Sequence, residues 1–211
     1  MELTRTANAG ILLRLDGISI LLDGVCREVK PYPATPPTIR AQLTRLWPDI
    51  VAYTHNHKDH YDPTYAAAYS RQTGRVILGP GALHGSMEKI TLGNVTVMPV
   101  SSRHIGVAGK TVDHAGFVIK GSKCLWFTGD SAPSQWKNKD LPKPDVLVVP
   151  YAYANTPASW ALTKSLGAEQ IVLLHMPARQ ADTIGLWPAV EATTENDAKL
   201  HPLEMGEIFC V

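Results

Sequence analysis

Cysteine is scarce in this chain: Cys26, Cys124 and Cys210 are the only three among 211 residues, and no C-x-x-C spacing pairs them. An odd, scattered set of this kind excludes a disulfide framework and a cysteine-built zinc finger. An excess of charge of one sign is also lacking, since 20 Lys+Arg balance 19 Asp+Glu. Neither nucleic acid nor an anionic membrane surface is therefore expected as the main partner. The longest uninterrupted apolar run, Val146 to Ala154, has nine residues and includes Pro150, well short of the roughly 18 that a spanning helix needs. The opening residues Met1-Glu2-Leu3-Thr4-Arg5 lack a basic stretch followed by an apolar core. No secretory signal is read, and the expected location is the cytoplasm. No Gly/Ser-rich linker, fixed-period repeat or low-complexity tract divides the chain, so one domain over residues 1–211 is expected.

What is present is an ordinary globular mixture, 45% apolar and 18% charged, arranged first as short strands and then as alternating strands and helices. Leu3 to Thr6, Gly10 to Leu15 and Ile18 to Leu22 read as strands, with Asp16-Gly17 as a hairpin turn. Asp23 to Pro37 holds four of the 16 prolines and reads as a stiff surface loop. Helices are expected over Thr38 to Leu46, Pro63 to Gln72 with Asp62 as its N-cap, Ser159 to Leu166 and Pro188 to Thr194. Strands are expected at Ile50 to Tyr53, Val76 to Leu78, Val95 to Val100, Ala115 to Lys120, Lys123 to Thr128, Val146 to Val149, Ile171 to Leu174 and Glu207 to Cys210. This order suggests an α/β protein with helices on both outer faces of its sheet structure. Periodicity alone leaves open whether that means one sheet or two.

The informative segment is Thr54-His55-Asn56-His57-Lys58-Asp59-His60-Tyr61-Asp62-Pro63, where four metal-ligating side chains fall within six residues immediately after a buried-type strand. Imidazole and carboxylate suit Zn²⁺ and similar divalent ions. Residues i and i+2 of an extended segment point the same way, so His55 and His57 can hold one ion. Asp59 and His60 lie where the chain turns into the next helix and can face a second. A polar loop that uses histidines as caps is the bland alternative, and this density of ligands weighs against it.

The H-x-H-x-D-H segment at the end of a strand resembles the hallmark of the metallo-β-lactamase superfamily. The likeness extends over most of the chain: an N-terminal hairpin, the Ile20-Leu21-Leu22-Asp23 segment, an isolated downstream His, the Thr128-Gly129-Asp130 triplet and a late His after a strand. Within the superfamily it looks most like the UlaG-like hydrolases, similar to ascorbate-6-phosphate lactonase, which also have a strand reading like Trp126-Phe127-Thr128-Gly129-Asp130-Ser131. The resemblance implies an αββα sandwich, two stacked mixed β-sheets with helices on both outer faces. It implies two divalent metal ions, zinc first and manganese or iron as alternatives. The first ion would take His55, His57 and a histidine from mid-chain, His104 being the choice and His114 the competitor. The second would take Asp59, His60 and His175, with Asp130 bridging the pair.

The implied chemistry is hydrolysis of a small ester-type substrate, a lactone or phosphodiester. Two nearby dications acidify a shared water enough to supply hydroxide near neutral pH, and Asp59 is the candidate proton acceptor. Tyr151 and Tyr153, after the strand Val146 to Val149, are candidate substrate contacts, and so is Asn8. Asn8 stands where UlaG-like sequences commonly have a His, and an amide cannot replace an imidazole as a base. That departure also keeps open a non-catalytic metal-binding protein with the hydrolase fold. A nucleic-acid-processing phosphodiesterase is the other alternative, disfavoured by the formal charge of +1. The expected partner is a small-molecule substrate, with no membrane. Oligomeric state is not encoded, and a homo-oligomer stays open.

Overall fold

Side-chain alternation along the central strands sorts the apolar residues into separate layers. In a strand, successive side chains face opposite sides. Ile20 and Leu22 enter one apolar cluster while Leu21 enters another; Ile50 and Ala52 separate from Val51 in the same way. Leu125, Phe127, Val146, Val148, Val172 and Leu174 join the first cluster, whereas Trp126, Leu147, Val149, Ile171 and Leu173 join a third. Such strands, apolar on both faces, must be covered on both faces, and a sandwich of two sheets between helices does that.

The structure is a computed structural model that describes residues 1–106, 111–137 and 139–211. The strands are β1 (Glu2–Arg5), β2 (Ile11–Leu15), β3 (Ile18–Leu22), β4 (Ile50–Ala52), β5 (Ile90–Leu92), β6 (Val95–Arg103), β7 (Asp113–Lys120), β8 (Cys124–Phe127), β9 (Val146–Pro150), β10 (Gln170–Leu174), β11 (Leu200–Pro202) and β12 (Ile208–Cys210). The helices are α1 (Pro37–Arg45), α2 (Pro63–Thr73), α3 (Pro157–Ser165) and α4 (Leu186–Thr194). The five-stranded sheet has the order β12-β1-β2-β3-β4, and the seven-stranded sheet β11-β10-β9-β8-β7-β6-β5. Both are mixed: β3 and β4 are parallel in the first, and β8 through β11 are parallel in the second, with antiparallel pairs elsewhere. The cluster containing Leu13, Leu22, Phe117 and Val148 fills the space between the sheets. Tyr65 and Tyr69 of α2 and Leu43 of α1 cover one outer face, and Trp160 of α3 with Leu186, Trp187 and Val190 of α4 cover the other. The expected αββα sandwich is what the chain forms.

Helix ends follow the sequence signals. Asp62 caps α2, accepting from the Thr64 and Tyr65 amides at 2.8 and 3.0 Å, and Gly74 closes the same helix in the left-handed region at φ 69°. Two expectations need correction, and two strands went unread. Val76 to Leu78 is not a strand; only Leu78 pairs, through single bridges to Ala52 and Ser86. The edge strands β5 and β11 escape periodicity because three residues are too few to show alternation. The segment Asp23 to Pro37 is irregular as expected, yet it is no mere surface loop, since Asp23, Val25, Cys26 and Thr35 are buried. Among the described residues, no helix is long and apolar enough to cross a membrane.

Candidate metal centre

The strands β6 and β8 both pair antiparallel with β7, and β8, β9 and β10 are mutually parallel. The chain therefore leaves β6, β8 and β10 along one rim of the larger sheet. His104 follows β6, Asp130 lies three residues beyond β8, and His175 follows β10 directly. The histidine-rich segment leaves β4, and the Ala115 amide, donating to the Thr54 carbonyl at 2.9 Å, fastens it to that rim. A tight turn then closes on the His57 carbonyl, which accepts from the His60 and Tyr61 amides at 3.0 and 2.9 Å. The turn carries Asp59 and His60 back over the site before α2 begins.

These seven side chains converge. The ring centroids of His55 lie 4.5 Å from His57 and 4.8 Å from His104, and His57 lies 4.7 Å from His104. One ligand atom from each of His55, His57 and His104 lies within 4.8 Å of the others; the same holds for Asp59, His60 and His175, and for His55, His60 and Asp130. Asp130 Oδ2 sits between the first two groups, 3.6 Å from His104 Nε2, 3.4 Å from His60 Nε2 and 3.5 Å from His175 Nε2. Asp59 Oδ2 is 3.1 Å from His175 Nε2. Donor atoms around a tetrahedral ion with Zn–N bonds near 2.0–2.1 Å lie about 3.3 Å apart. These spacings are therefore those of coordination edges.

The donor atoms are also free to bind. The Nε2 atoms of His55, His60, His104 and His175, and Oδ1 of Asp130, are buried without a hydrogen-bond partner, an arrangement too costly to expect unless something else satisfies them. The opposite ring nitrogens of His55, His60 and His104 are fixed. His104 Nδ1 donates to the Ile105 carbonyl at 2.6 Å. His60 Nδ1 donates to Asp23 Oδ2 at 2.8 Å, and the same oxygen accepts the Thr54 hydroxyl at 2.6 Å. That hydroxyl in turn lies 2.9 Å from His55 Nδ1, so it accepts from the imidazole. One buried carboxylate thus sets the tautomers of two histidines and leaves both Nε2 lone pairs facing the centre. The set of five imidazoles and two carboxylates fits divalent metal ions.

His114 has a different place. Its Nδ1 contacts Ser102 Oγ at 2.9 Å and its Nε2 accepts the Asp130 amide at 3.1 Å. Both nitrogens are occupied, and the ring supports Asp130 from behind instead of offering a donor to the centre. Gly129 completes that support: at φ 51° a Cβ would meet Thr54 Cγ2 at 2.6 Å and His114 Nε2 at 2.8 Å, so only glycine fits. Asp23 and His175 also lie in the left-handed region, at φ 47° and 58°, strain of the kind that collects at functional sites.

Electrostatics follow the same geometry. Burial works against the charged forms throughout. It is overcome at His60, where Asp130 and Asp23 hold the imidazole pKa well above its ordinary value. It is overcome likewise at Asp130, which His175, His60 and His55 hold well below the carboxylate range. Burial prevails at Asp23, whose pKa is raised despite its bonds to His60 and Thr54. It also prevails at His55, which is lowered with help from His60, and at His114, pushed down to about 3.

The substrate-contact candidates divide. Tyr151 stands at the rim, its ring 5.9 Å from that of His175. Tyr153 faces the core instead: it is fully buried, with its hydroxyl 3.3 Å from Ser131 Oγ, and has no route to a substrate. The cause is the 3-10 turn at Tyr151–Tyr153, which rotates residues i and i+2 away from each other. Asn8 is also fully buried, with both side-chain amide atoms unpartnered, while its carbonyl accepts the His175 amide at 3.1 Å. Two residues missed by sequence reasoning belong here. Asp23 was visible in the Ile20-Leu21-Leu22-Asp23 segment, but its partner His60 lies 37 residues away. Tyr32, edge-on to His175 at 4.6 Å, gave no signal within its proline-rich loop.

No curated protein matches the chain. Among solved structures it is similar to a possible metal-dependent hydrolase from Veillonella parvula, at 14% identity and a TM-score of 0.71, covering 100% of this chain and 99% of the other. An isothiocyanate hydrolase from Delia radicum gut bacteria gives 18% identity and a TM-score of 0.73, again over 100% and 99%. A metallo hydrolase from the archaeon Ignicoccus hospitalis gives 19% and 0.69, over 100% and 98%. At these identities the likeness is one of fold. The sequence itself is more specific: residues 2–175 match the model described as the beta-lactamase superfamily domain, and the chain belongs to that family.

Proposed function

We propose that this protein is a metal-dependent hydrolase of a small ester-type substrate, a lactone or a phosphodiester. The observation that carries the reading is the position of Asp130 Oδ2, 3.4 to 3.6 Å from three buried Nε2 atoms that make no hydrogen bond. His55, His57 and His104 would hold one divalent ion, and Asp59, His60 and His175 a second, with Asp130 shared between them. Zinc is the first candidate, manganese or iron the alternatives, because availability decides among them for N/O donors. Such ions, when bound, supply Lewis acidity and acidify water.

The chain's own groups do the rest. Asp59 is half-buried beside His175 and is held ionised: burial opposes its charge, but His175 and His60 outweigh it. It is the base that takes a proton from the attacking water. Asp130 and His60 keep the donor set rigid through Asp23 and His114. The burial of the cluster excludes bulk water and strengthens each charge interaction. The resemblance to UlaG-like hydrolases supports a lactone over a phosphodiester.

The test combines elemental analysis with assays on generic lactone and phosphodiester substrates. The reading expects bound divalent metal, turnover of one class, and loss of both on His57→Ala while the far-ultraviolet circular dichroism stays intact. Full activity in His57→Ala would refute it. Metal without any turnover would leave a metal-binding protein that keeps the hydrolase fold.

A further inference from the structure

Two aromatic rings from separate segments meet the same ligand imidazole. Tyr32, from the loop between β3 and α1, approaches His175 edge-on, with centroids 4.6 Å apart and planes at 76°. Tyr151, from the turn after β9, approaches the same imidazole at 5.9 Å and 60°. Each is held by its backbone: Tyr32 exchanges two hydrogen bonds with Val29, at 2.7 and 3.0 Å, and the Tyr151 carbonyl accepts the Ala154 amide at 2.9 Å. Both are half-buried, and among the described residues neither phenol hydroxyl has a hydrogen-bond partner. Burial raises the phenol pKa of both, and the carboxylates of Asp130, Asp59 and Asp182 add to it at Tyr32, as Asp130 does at Tyr151. Asp182 is held ionised by the backbone amides of Trp187 and Leu186. The described ion pairs of Asp59 and Asp130 are all to histidines.

We infer that Tyr32 and Tyr151 form an aromatic clamp beside His175 that takes an uncharged aryl group, so that the preferred substrate is a neutral aryl lactone or aryl ester. This rests on the hydrolase reading above and narrows it. Two aromatic rings beside one ligand imidazole, each with an unpartnered hydroxyl, suit a planar aromatic group carrying an acceptor oxygen. A remote carboxylate or phosphate would meet Asp182, and the cation next to it in the same turn, Arg179, is already paired with Glu191 at 2.6 Å. Hydrolysis here forms a bond from water oxygen to the carbonyl carbon and breaks the acyl–O(aryl) bond. One water proton passes to Asp59 and then to the departing phenolate, giving a carboxylic acid and a phenol.

The experiment uses the full chain and two probes. The first compares kcat/KM for dihydrocoumarin, an aryl lactone, with δ-valerolactone, an alkyl one. The second follows binding of acetanilide, a neutral aryl amide, to metal-free protein by saturation-transfer NMR. Because a phenolate leaves more readily than an alkoxide whatever the pocket, the clamp is read from the change in the aryl-over-alkyl ratio of kcat/KM. Tyr32→Ala should lower that ratio about tenfold through KM and abolish acetanilide binding, with metal content unchanged; Tyr32→Phe, which keeps the ring, should retain most of both. Tyr151→Leu serves the same purpose should Tyr32→Ala fail to fold. Lactone turnover whose aryl-over-alkyl ratio is unchanged by the loss of either ring overturns the clamp and leaves the hydrolase reading standing. Tyr32-dependent acetanilide binding without turnover of any ester or lactone does the reverse.

Discussion

His60 and Asp23 meet at 2.8 Å, Nδ1 to Oδ2, with both side chains fully buried. The contact joins the histidine-rich turn to the end of β3, and the parallel register of β3 with β4, Leu22 opposite Ala52, brings the two together. Because Asp23 also receives the Thr54 amide and hydroxyl, it organises His55 and His60 at once.

Asp23→Asn should therefore damage metal binding more than the fold. Asparagine has the same shape and tolerates the left-handed backbone at this position, but its single amide oxygen cannot replace both carboxylate oxygens, one of which accepts the Thr54 amide and the other the Thr54 hydroxyl and His60. The His60 tautomer is then no longer fixed with Nε2 free. Loss of such an outer partner typically weakens metal affinity about 10- to 100-fold. Competition with a chromophoric chelator measures this, and an unchanged affinity would remove Asp23 from the centre.

His104 and His114 should behave differently when truncated. His104 Nε2 is unpartnered and lies 3.6 Å from Asp130, whereas both nitrogens of His114 are engaged. His104→Ala is expected to lose one ion per chain. His114→Gln, which can still accept from the Asp130 amide, is expected to keep the wild-type metal count. Elemental analysis of the purified variants decides it, and the reverse pattern would exchange their roles.

Metal binding should strengthen as pH rises from 6 toward 8. In the metal-free protein Asp130 and Asp23 raise the His60 pKa above its ordinary value of about 6.5, so an incoming ion must displace a proton. The folding linkage has the opposite sign. A raised folded-state pKa contributes stability that is complete below about 6.5 and fades as pH climbs through the folded value. Asp130, whose pKa is depressed, contributes stability above about 3.9 that is lost on acidification through its lowered value. Metal-free protein should thus lose stability on mild alkalinisation while its ion affinity grows. Calorimetry in buffers of different ionisation enthalpy counts the released protons, and a count of zero would sink the argument.

Much of this centre was legible because part of it is local. Four of the seven converging side chains lie within His55 to His60, where chain geometry alone makes them neighbours. His104, Asp130 and His175 were reachable because each follows a strand whose apolar alternation is plain, as in Ile171 to Leu174. What stayed hidden depends on register or on turns too short to show a period. Asp23 reaches His60 only through the pairing of β3 with β4. Tyr153 turns inward because three residues after β9 wind into a 3-10 turn. Tyr32 sits in a loop whose four prolines signal stiffness but not direction.

Arg5 provides the last prediction, because a buried guanidinium here holds only carbonyl groups. Its side chain donates to Leu203 at 2.5 Å, Asn8 at 3.1 Å, Ala7 at 3.2 Å and Met176 at 3.4 Å. No carboxylate lies within ion-pairing distance of it among the described residues. The Asn8 carbonyl also takes the His175 amide, so Arg5 braces the corner at which His175 adopts its left-handed backbone. Arg5→Met keeps most of the side-chain volume but orphans those carbonyls, at a cost of about 2–4 kcal/mol. Arg5→Lys can serve only one or two of them and should fall in between. Urea denaturation of the metal-free variants gives the comparison. A midpoint for Arg5→Met equal to wild type would show that the His175 corner stands without the brace.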